Sequence, residues 1–71
     1  MSVFVEAKWP SEHPESSINQ VVVTNGGSIF AAEATADTLR EMILEFRTNI
    51  EANSFITKAS NIFNGSVFNI I

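Results

Sequence analysis

The sequence contains no cysteine, no tyrosine and a single histidine, His13. Without cysteine there can be no disulfide and no thiol chemistry. A metal site needs three or four converging ligands, and one histidine among scattered carboxylates does not supply them. The eight serines have one histidine to serve as a base, and no Gly-x-Ser-x-Gly motif occurs. We therefore expect a protein that is not an enzyme and holds no metal or cofactor.

Basic residues are scarce as well. The chain has four Lys and Arg against eight Asp and Glu, a net charge of −4. Nucleic-acid backbones are polyanions that proteins bind with clustered Lys and Arg, so direct nucleic-acid binding is disfavoured. An acidic surface suits a basic protein partner, although the same charge also serves solubility alone.

Long apolar runs are missing too. No stretch approaches the ~20 residues of a membrane-spanning helix. The N-terminal residues lack the basic and apolar regions of a signal peptide. We expect a cytoplasmic protein without a membrane partner.

Hydrophobic material is abundant for so short a chain. Of the 71 residues 45% are hydrophobic, and six of them are Phe. A chain of this length is marginally stable alone and usually relies on disulfides, a metal or oligomerisation. Because the composition argues against the first two, we expect a single domain over residues 1–71 that forms a homo-oligomer, a dimer or higher.

Alternating apolar residues predict a first strand over residues 2–9. The residues expected to face the core share odd positions: Val3, Val5, Ala7 and Trp9. Phe4 falls on the other face with Glu6 and Lys8, so we expect a second layer, such as a subunit interface, to cover it. Trp9 has an alternative interpretation as an aromatic anchor at the mouth of the next loop.

The following segment predicts a hairpin. Residues 10–17 are polar, contain both prolines and are typical of an exposed loop. The β-branched residues 21–23 favour a strand over residues 18–24. The sequence Asn25-Gly26-Gly27 is typical of a tight turn, after which residues 28–32 would return as an antiparallel strand.

Helical spacing then predicts one amphipathic helix over residues 36–50 with Thr35 as its N-cap. The apolar stripe expected to face the sheet consists of Ala36, Leu39, Met42, Ile43, Phe46 and Ile50. Leu44 falls off this stripe, on the acidic side. An apolar side chain inside a polar rim is typical of an interaction hot spot, although single exposed leucines are also ordinary. The partner-binding residues that we predict are Leu44, Glu41, Glu45, Asp37 and Thr48.

The C-terminal segment is ambiguous between strand and helix. Asn53 would end the preceding helix. The β-branched and aromatic composition favours strands, with Asn64-Gly65 as a second hairpin turn. The alternative is a helix over residues 54–63, capped by Ser54 and ended by Gly65. Helical spacing fits four residues of this region: Phe55, Ala59, Ile62 and Phe63.

These elements predict an α+β fold. It consists of a small antiparallel β-meander, one amphipathic helix packed on one face and a C-terminal strand or hairpin, in the order βββαβ(β). A small meander leaves strand edges unpaired. The run of residues 21–23 and the C-terminal segment carry little charge to discourage strand addition between subunits or with a partner. The layout is loosely similar to small antitoxin domains and to short phage-encoded proteins, without a diagnostic motif.

We therefore expect a non-catalytic protein-interaction module, such as an inhibitor, an antitoxin-like protein or a phage-type regulatory protein, that binds a larger, basic protein. One alternative is a structural subunit of a larger assembly. Another is a small homo-oligomeric ligand-binding or sequestering protein with pockets between subunits, whose loop and ligand candidates are Trp9, His13 and Phe4. His13 has carboxylates beside it and could act as a proton switch, although a solvated loop histidine is the simpler interpretation.

Overall fold

A computed structural model describes residues 2–32 and 39–71. The elements in chain order are β1 (Val3–Pro10), α1 (Glu15–Thr24), β2 (Ser28–Ala32), β3 (Leu39–Phe46), α2 (Asn49–Ile62) and β4 (Val67–Ile70). The four strands form one antiparallel sheet in the order β2-β3-β1-β4. This element order is the ferredoxin-like, or split βαβ, arrangement.

The predicted α+β class, the antiparallel sheet, a helix packed on one face of it and the C-terminal strand are confirmed. The predicted order βββαβ(β) is wrong, because the second element is a helix and a further helix precedes β4. The sheet is not a meander either, since β1 lies between β3 and β4 and does not pair with β2. The loose similarity to antitoxin and phage proteins rested on that layout and does not hold without it.

β1 follows its sequence pattern closely. Val5, Ala7 and Trp9 are completely buried, while the residues between them are half-buried. The strand pairs with β3 along its whole length, from Val3 opposite Phe46 to Pro10 opposite Leu39. The alternation was readable because one face of β1 meets the core and the other does not.

α1 occupies the segment for which the sequence predicts a loop and a strand. Ile18 and Val22, four residues apart, are the buried residues of this helix. The Gly26 amide donates to the Val23 carbonyl at 3.0 Å and the Gly27 amide donates to the Val22 carbonyl at 2.9 Å. With a φ of +82° at Gly26, these bonds form a Schellman helix end. The Asn-Gly-Gly sequence therefore ends a helix, and the predicted hairpin is wrong.

β3 lies within the span of the predicted amphipathic helix. Met42, Leu44 and Phe46 are buried at alternate positions, as in a strand with one face toward a core. Ile50, expected at the end of the apolar stripe, is 82% exposed. The proposed N-cap Thr35 and the residues around it lie outside the described ranges, so that part of the prediction stays untested.

α2 confirms the helical alternative for residues 54–63 and corrects the preferred strand interpretation. The helix begins earlier than expected, where the Thr48 hydroxyl accepts a hydrogen bond from the Glu51 amide at 3.2 Å. Ala52, Phe55 and Ala59 form its buried stripe, and Asn53 is an interior residue. Gly65, with a φ of +82°, follows the helix and belongs to no hairpin, since β4 pairs with β1.

The core is one cluster between the two helices and one face of the sheet. Phe55 of α2 packs against Phe46 of β3 and Phe68 of β4, with ring centroids 5.2 and 5.1 Å apart. Buried residues of both helices belong to this cluster. Both helices therefore cover the same face, and neither covers the opposite one.

Candidate functional site

The side chains of the sheet that point away from α1 and α2 form what we call the outer face. Its position follows from the strand register and the alternation of burial. The residues of the outer face include Phe4, Glu6, Lys8, Ser28, Phe30, Ala31, Glu41, Ile43, Glu45, Val67 and Asn69. Neither helix of the described residues packs on it, so it is a candidate surface for contact with another molecule.

An aromatic pair stands at one end of the outer face. The rings of Phe4 on β1 and Phe30 on β2 meet edge to face, with centroids 4.9 Å apart and planes at 70°, which is a favourable aromatic geometry. Phe4 is half-buried and Phe30 is 60% exposed. The pair therefore presents apolar surface to solvent, mainly from Phe30.

A β-bulge directs Phe30 to this position. The pairing of β2 with β3 shifts between Ile29 and Ala31, and Phe30 lies at the shift. Bulges insert an extra residue and change the direction of a side chain. Ile29 pairs with the buried Leu44 whereas Phe30 contacts Phe4 across the outer face.

Acidic side chains share the outer face with the aromatic pair. Phe4 lies opposite Glu45 in the β1–β3 register, and the Glu45 carboxylate accepts a hydrogen bond from the Ser2 hydroxyl. Lys8 Nζ lies 3.4 Å from a Glu41 carboxylate oxygen and 3.9 Å from one of Glu6. Three carboxylates thus share the face with one ammonium group, which leaves the face negative at neutral pH.

The structure corrects the predicted hot spot at Leu44. This side chain is completely buried in the core, because residues 39–46 form a strand and Leu44 shares its inner side with Met42 and Phe46. It cannot reach a partner in the folded chain. The prediction was wrong because it assumed helical periodicity. On a helix Leu44 falls among acidic residues, whereas in a strand, where sides alternate from residue to residue, it falls on the core side.

The other predicted partner-binding residues fall in different places. Glu41 and Glu45 both lie on the outer face, Glu45 opposite Phe4 and Glu41 four residues away, opposite Lys8. Thr48 is on the helix side, where its hydroxyl caps α2. Asp37 lies outside the described residues.

The predicted loop and ligand residues also lie in different parts of the structure. Trp9 is completely buried, and its Nε1 donates to the carbonyl of His13 at 3.2 Å, so it lines no open pocket. The Nε2 of His13 lies 3.0 Å from the Asn64 carbonyl, and its ring meets that of Phe63 at 5.4 Å. His13 therefore joins the turn after β1 to the turn after α2. Phe4 belongs to the outer face, as its position in the sequence predicts.

Phe30 and Val67 are outer-face residues that the sequence did not single out. Both are exposed apolar side chains, at 60% and 52%. Val67 pairs with Lys8 and could be placed once β4 was known to pair with β1. Phe30 had no such signal, because a bulge breaks the alternation that would assign it to a face.

The groove between the two helices is a weaker candidate for a binding site. It contains two open depressions of about 250 and 440 Å³. Between them, Asn25 Oδ1 accepts from Ser54 Oγ at 3.0 Å and from Lys58 Nζ at 3.4 Å, so these polar groups satisfy one another. Among residues 2–32 and 39–71, no three His, Asp or Glu side chains are grouped so that they could hold a metal ion.

Of the helices in the described ranges, none has the length and apolar character needed to cross a membrane. Comparison of the chain with protein-family models, with curated proteins and with solved structures gives no match.

Proposed function

We propose that this protein is a non-catalytic interaction module that binds a basic protein through the outer face of its sheet. The observation that supports this proposal most strongly is the contact of the exposed Phe30 ring with Phe4, next to Glu45 and on the same face as Glu6 and Glu41. Apolar aromatic side chains next to charged ones are usual at protein-binding surfaces.

The aromatic pair would supply affinity. Complete burial of a Phe side chain is worth roughly 1.5–3 kcal/mol, and Phe30 still exposes 60% of its surface. The edge-to-face contact with Phe4 restrains the Phe30 ring, which lowers the side-chain entropy that is lost on binding. A partner with an apolar side chain or pocket opposite these rings would gain most from contact.

The carboxylates would determine which partner binds. Lys8 offsets part of the charge of Glu6 and Glu41, and Glu45 adds a further negative charge. This excess attracts a basic surface and repels phosphate backbones, which disfavours nucleic acid as the direct ligand. It also disfavours two outer faces packed against each other, since like charges would meet.

The proposal extends to the protein's role and its location. A role as an inhibitor or regulatory protein follows if the basic surface that is covered is the partner's functional surface. A cytoplasmic location is our expectation for such a protein. The alternative of a structural subunit would use the same face but would place a permanent assembly partner on it.

The test is capture of partners by the immobilised chain and by two matched variants. Phe30→Glu places a charge in the aromatic pair, whereas Ile50→Glu places the same charge at an 82% exposed position on α2. We expect wild type and Ile50→Glu to retain the same basic protein from an extract of the producing cells. Phe30→Glu should retain at least tenfold less of that protein. Raised salt should reduce the amount captured by wild type. Equal capture by all three chains would exclude the outer face.

The charge contribution has its own variant. Glu41→Lys together with Glu45→Lys reverses two charges of the outer face, one opposite Phe4 and one opposite Lys8. If the partner is basic, binding weakens and its salt dependence becomes shallower. Unchanged affinity in this double variant would remove the carboxylates from the proposed site.

A further inference from the structure

We propose that the free edge of β4 pairs with the same edge of a second copy of this chain, so that two four-stranded sheets join into one antiparallel sheet of eight strands. β4 is an edge strand that pairs with β1 on one side, and no strand of the described residues pairs with its other side. This inference concerns a different surface from the outer face and does not depend on the proposed function.

The hydrogen-bonding pattern identifies which groups are available. The Ile71 amide donates to the Phe4 carbonyl at 3.0 Å, so Ile71 directs its backbone groups toward β1. In an antiparallel pair the direction alternates from residue to residue. Asn69 therefore also faces β1, while the amides and carbonyls of Phe68 and Ile70 point away from the sheet along the free edge.

These groups fit a two-fold arrangement. If the axis passes between Asn69 of each copy, Phe68 of one chain lies opposite Ile70 of the other, and each such pair can exchange two hydrogen bonds. The same register places Val67 opposite Ile71 of the second copy. Every unsatisfied edge group of Phe68 and Ile70 then has a partner, and the interface is isologous, as closed dimers require.

The side chains along this edge favour self-pairing. Residues 67–71 carry no charged side chain, and Val67, Ile70 and Ile71 are 52%, 41% and 67% exposed. Edge strands that must stay single usually carry Lys, Pro or a bulge. β4 has none of these within its range, whereas the opposite edge strand β2 has a bulge in its pairing with β3.

The geometry leaves both outer faces available. In an antiparallel pair, opposite residues point to the same side of the sheet, so the two outer faces lie side by side and the four helices cover the other side. The dimer would present two copies of the Phe4–Phe30 pair on one continuous surface.

The test uses charge pairs that depend on the register. In Val67→Glu/Ile71→Glu, the new carboxylate at position 67 of one copy would meet the new carboxylate at position 71 of the other, so pairing is opposed. In Val67→Glu/Ile71→Lys, the same two positions carry opposite charges, so pairing is restored. Position 67 lies opposite Lys8 in β1, which makes a carboxylate tolerable there within one chain. Far-UV circular dichroism verifies that both variants fold.

Absolute mass is measured by light scattering after size exclusion over a wide concentration range. We expect wild type and Val67→Glu/Ile71→Lys at twice the 7.8 kDa of one chain, and Val67→Glu/Ile71→Glu at the mass of one chain. A third variant, Ile70→Pro, removes an edge amide without touching the bonds to β1 and should also be a monomer. A wild-type mass of one chain, a mass beyond two chains, or a dimer that survives both the paired glutamates and Ile70→Pro would overturn the proposal.

Discussion

Gly27 lies directly against the ring of Phe46. A Cβ built on Gly27 would stand 2.7 Å from Cδ1 and 2.8 Å from Cζ of that ring, closer than real carbon atoms approach. Phe46 is 1% exposed and packs on Phe55, so it has no free space into which to move. The connection from α1 to β2 therefore passes so close to the Phe46 ring that residue 27 has room for a hydrogen atom but not for a side chain.

The first prediction follows from this contact. Gly27→Ala should lower the free energy of unfolding by about 1–3 kcal/mol, the usual cost of overpacking a core. Urea denaturation measures the change. In the double variant Gly27→Ala/Phe46→Leu, the smaller side chain relieves the clash, so the loss from Gly27→Ala should be less than in wild type. Strictly additive losses would show that the two residues do not touch.

The second prediction tests which side of α1 faces the core. Val22 is completely buried and Val23 is 59% exposed. Val22→Ala should cost about 2 kcal/mol of unfolding free energy through lost burial and a cavity, whereas Val23→Ala should change it by less than about 0.5 kcal/mol. Thermal unfolding followed by circular dichroism compares the two. A larger loss for Val23→Ala would contradict the helix register.

The third prediction concerns Leu44. As a fully buried residue of β3, it should lose about 2–5 kcal/mol when changed to Ala. Thr57→Ala, at an exposed position of α2, is the matched surface control and should have little effect. If Leu44→Ala were as mild as the control, Leu44 would be a surface residue, as the sequence pattern alone suggested.

β1 was predictable from the sequence and β3 was not, and the difference has a physical reason. In β1 the outward positions include Glu6 and Lys8, so the alternation is clear. In β3 the outward position 43 is Ile, which together with Met42 and Phe46 imitates a helical stripe. The apolar residue that obscured the strand belongs to the outer face, and local rules are expected to fail at such surfaces.

Helix α1 was missed for a different reason. The β-branched run at residues 21–23 has strand propensity, but burial of Ile18 and Val22 in the core outweighs it. Gly26 adopts a positive φ, which a hairpin and a helix end require equally, so the turn signal could not distinguish them. The candidate site could be predicted only in part: Phe4, Glu41 and Glu45 were singled out, but their common face depends on which strands pair.

The most direct test of the proposed docking on the outer face is site-specific photo-crosslinking in the producing cells. A benzophenone amino acid replaces Phe30 in one chain and Ile50, on the helix side, in another. The account predicts that the probe at position 30 forms an adduct with a basic protein and that the probe at position 50 does not. An adduct with the same protein at position 50 and none at position 30 would contradict it.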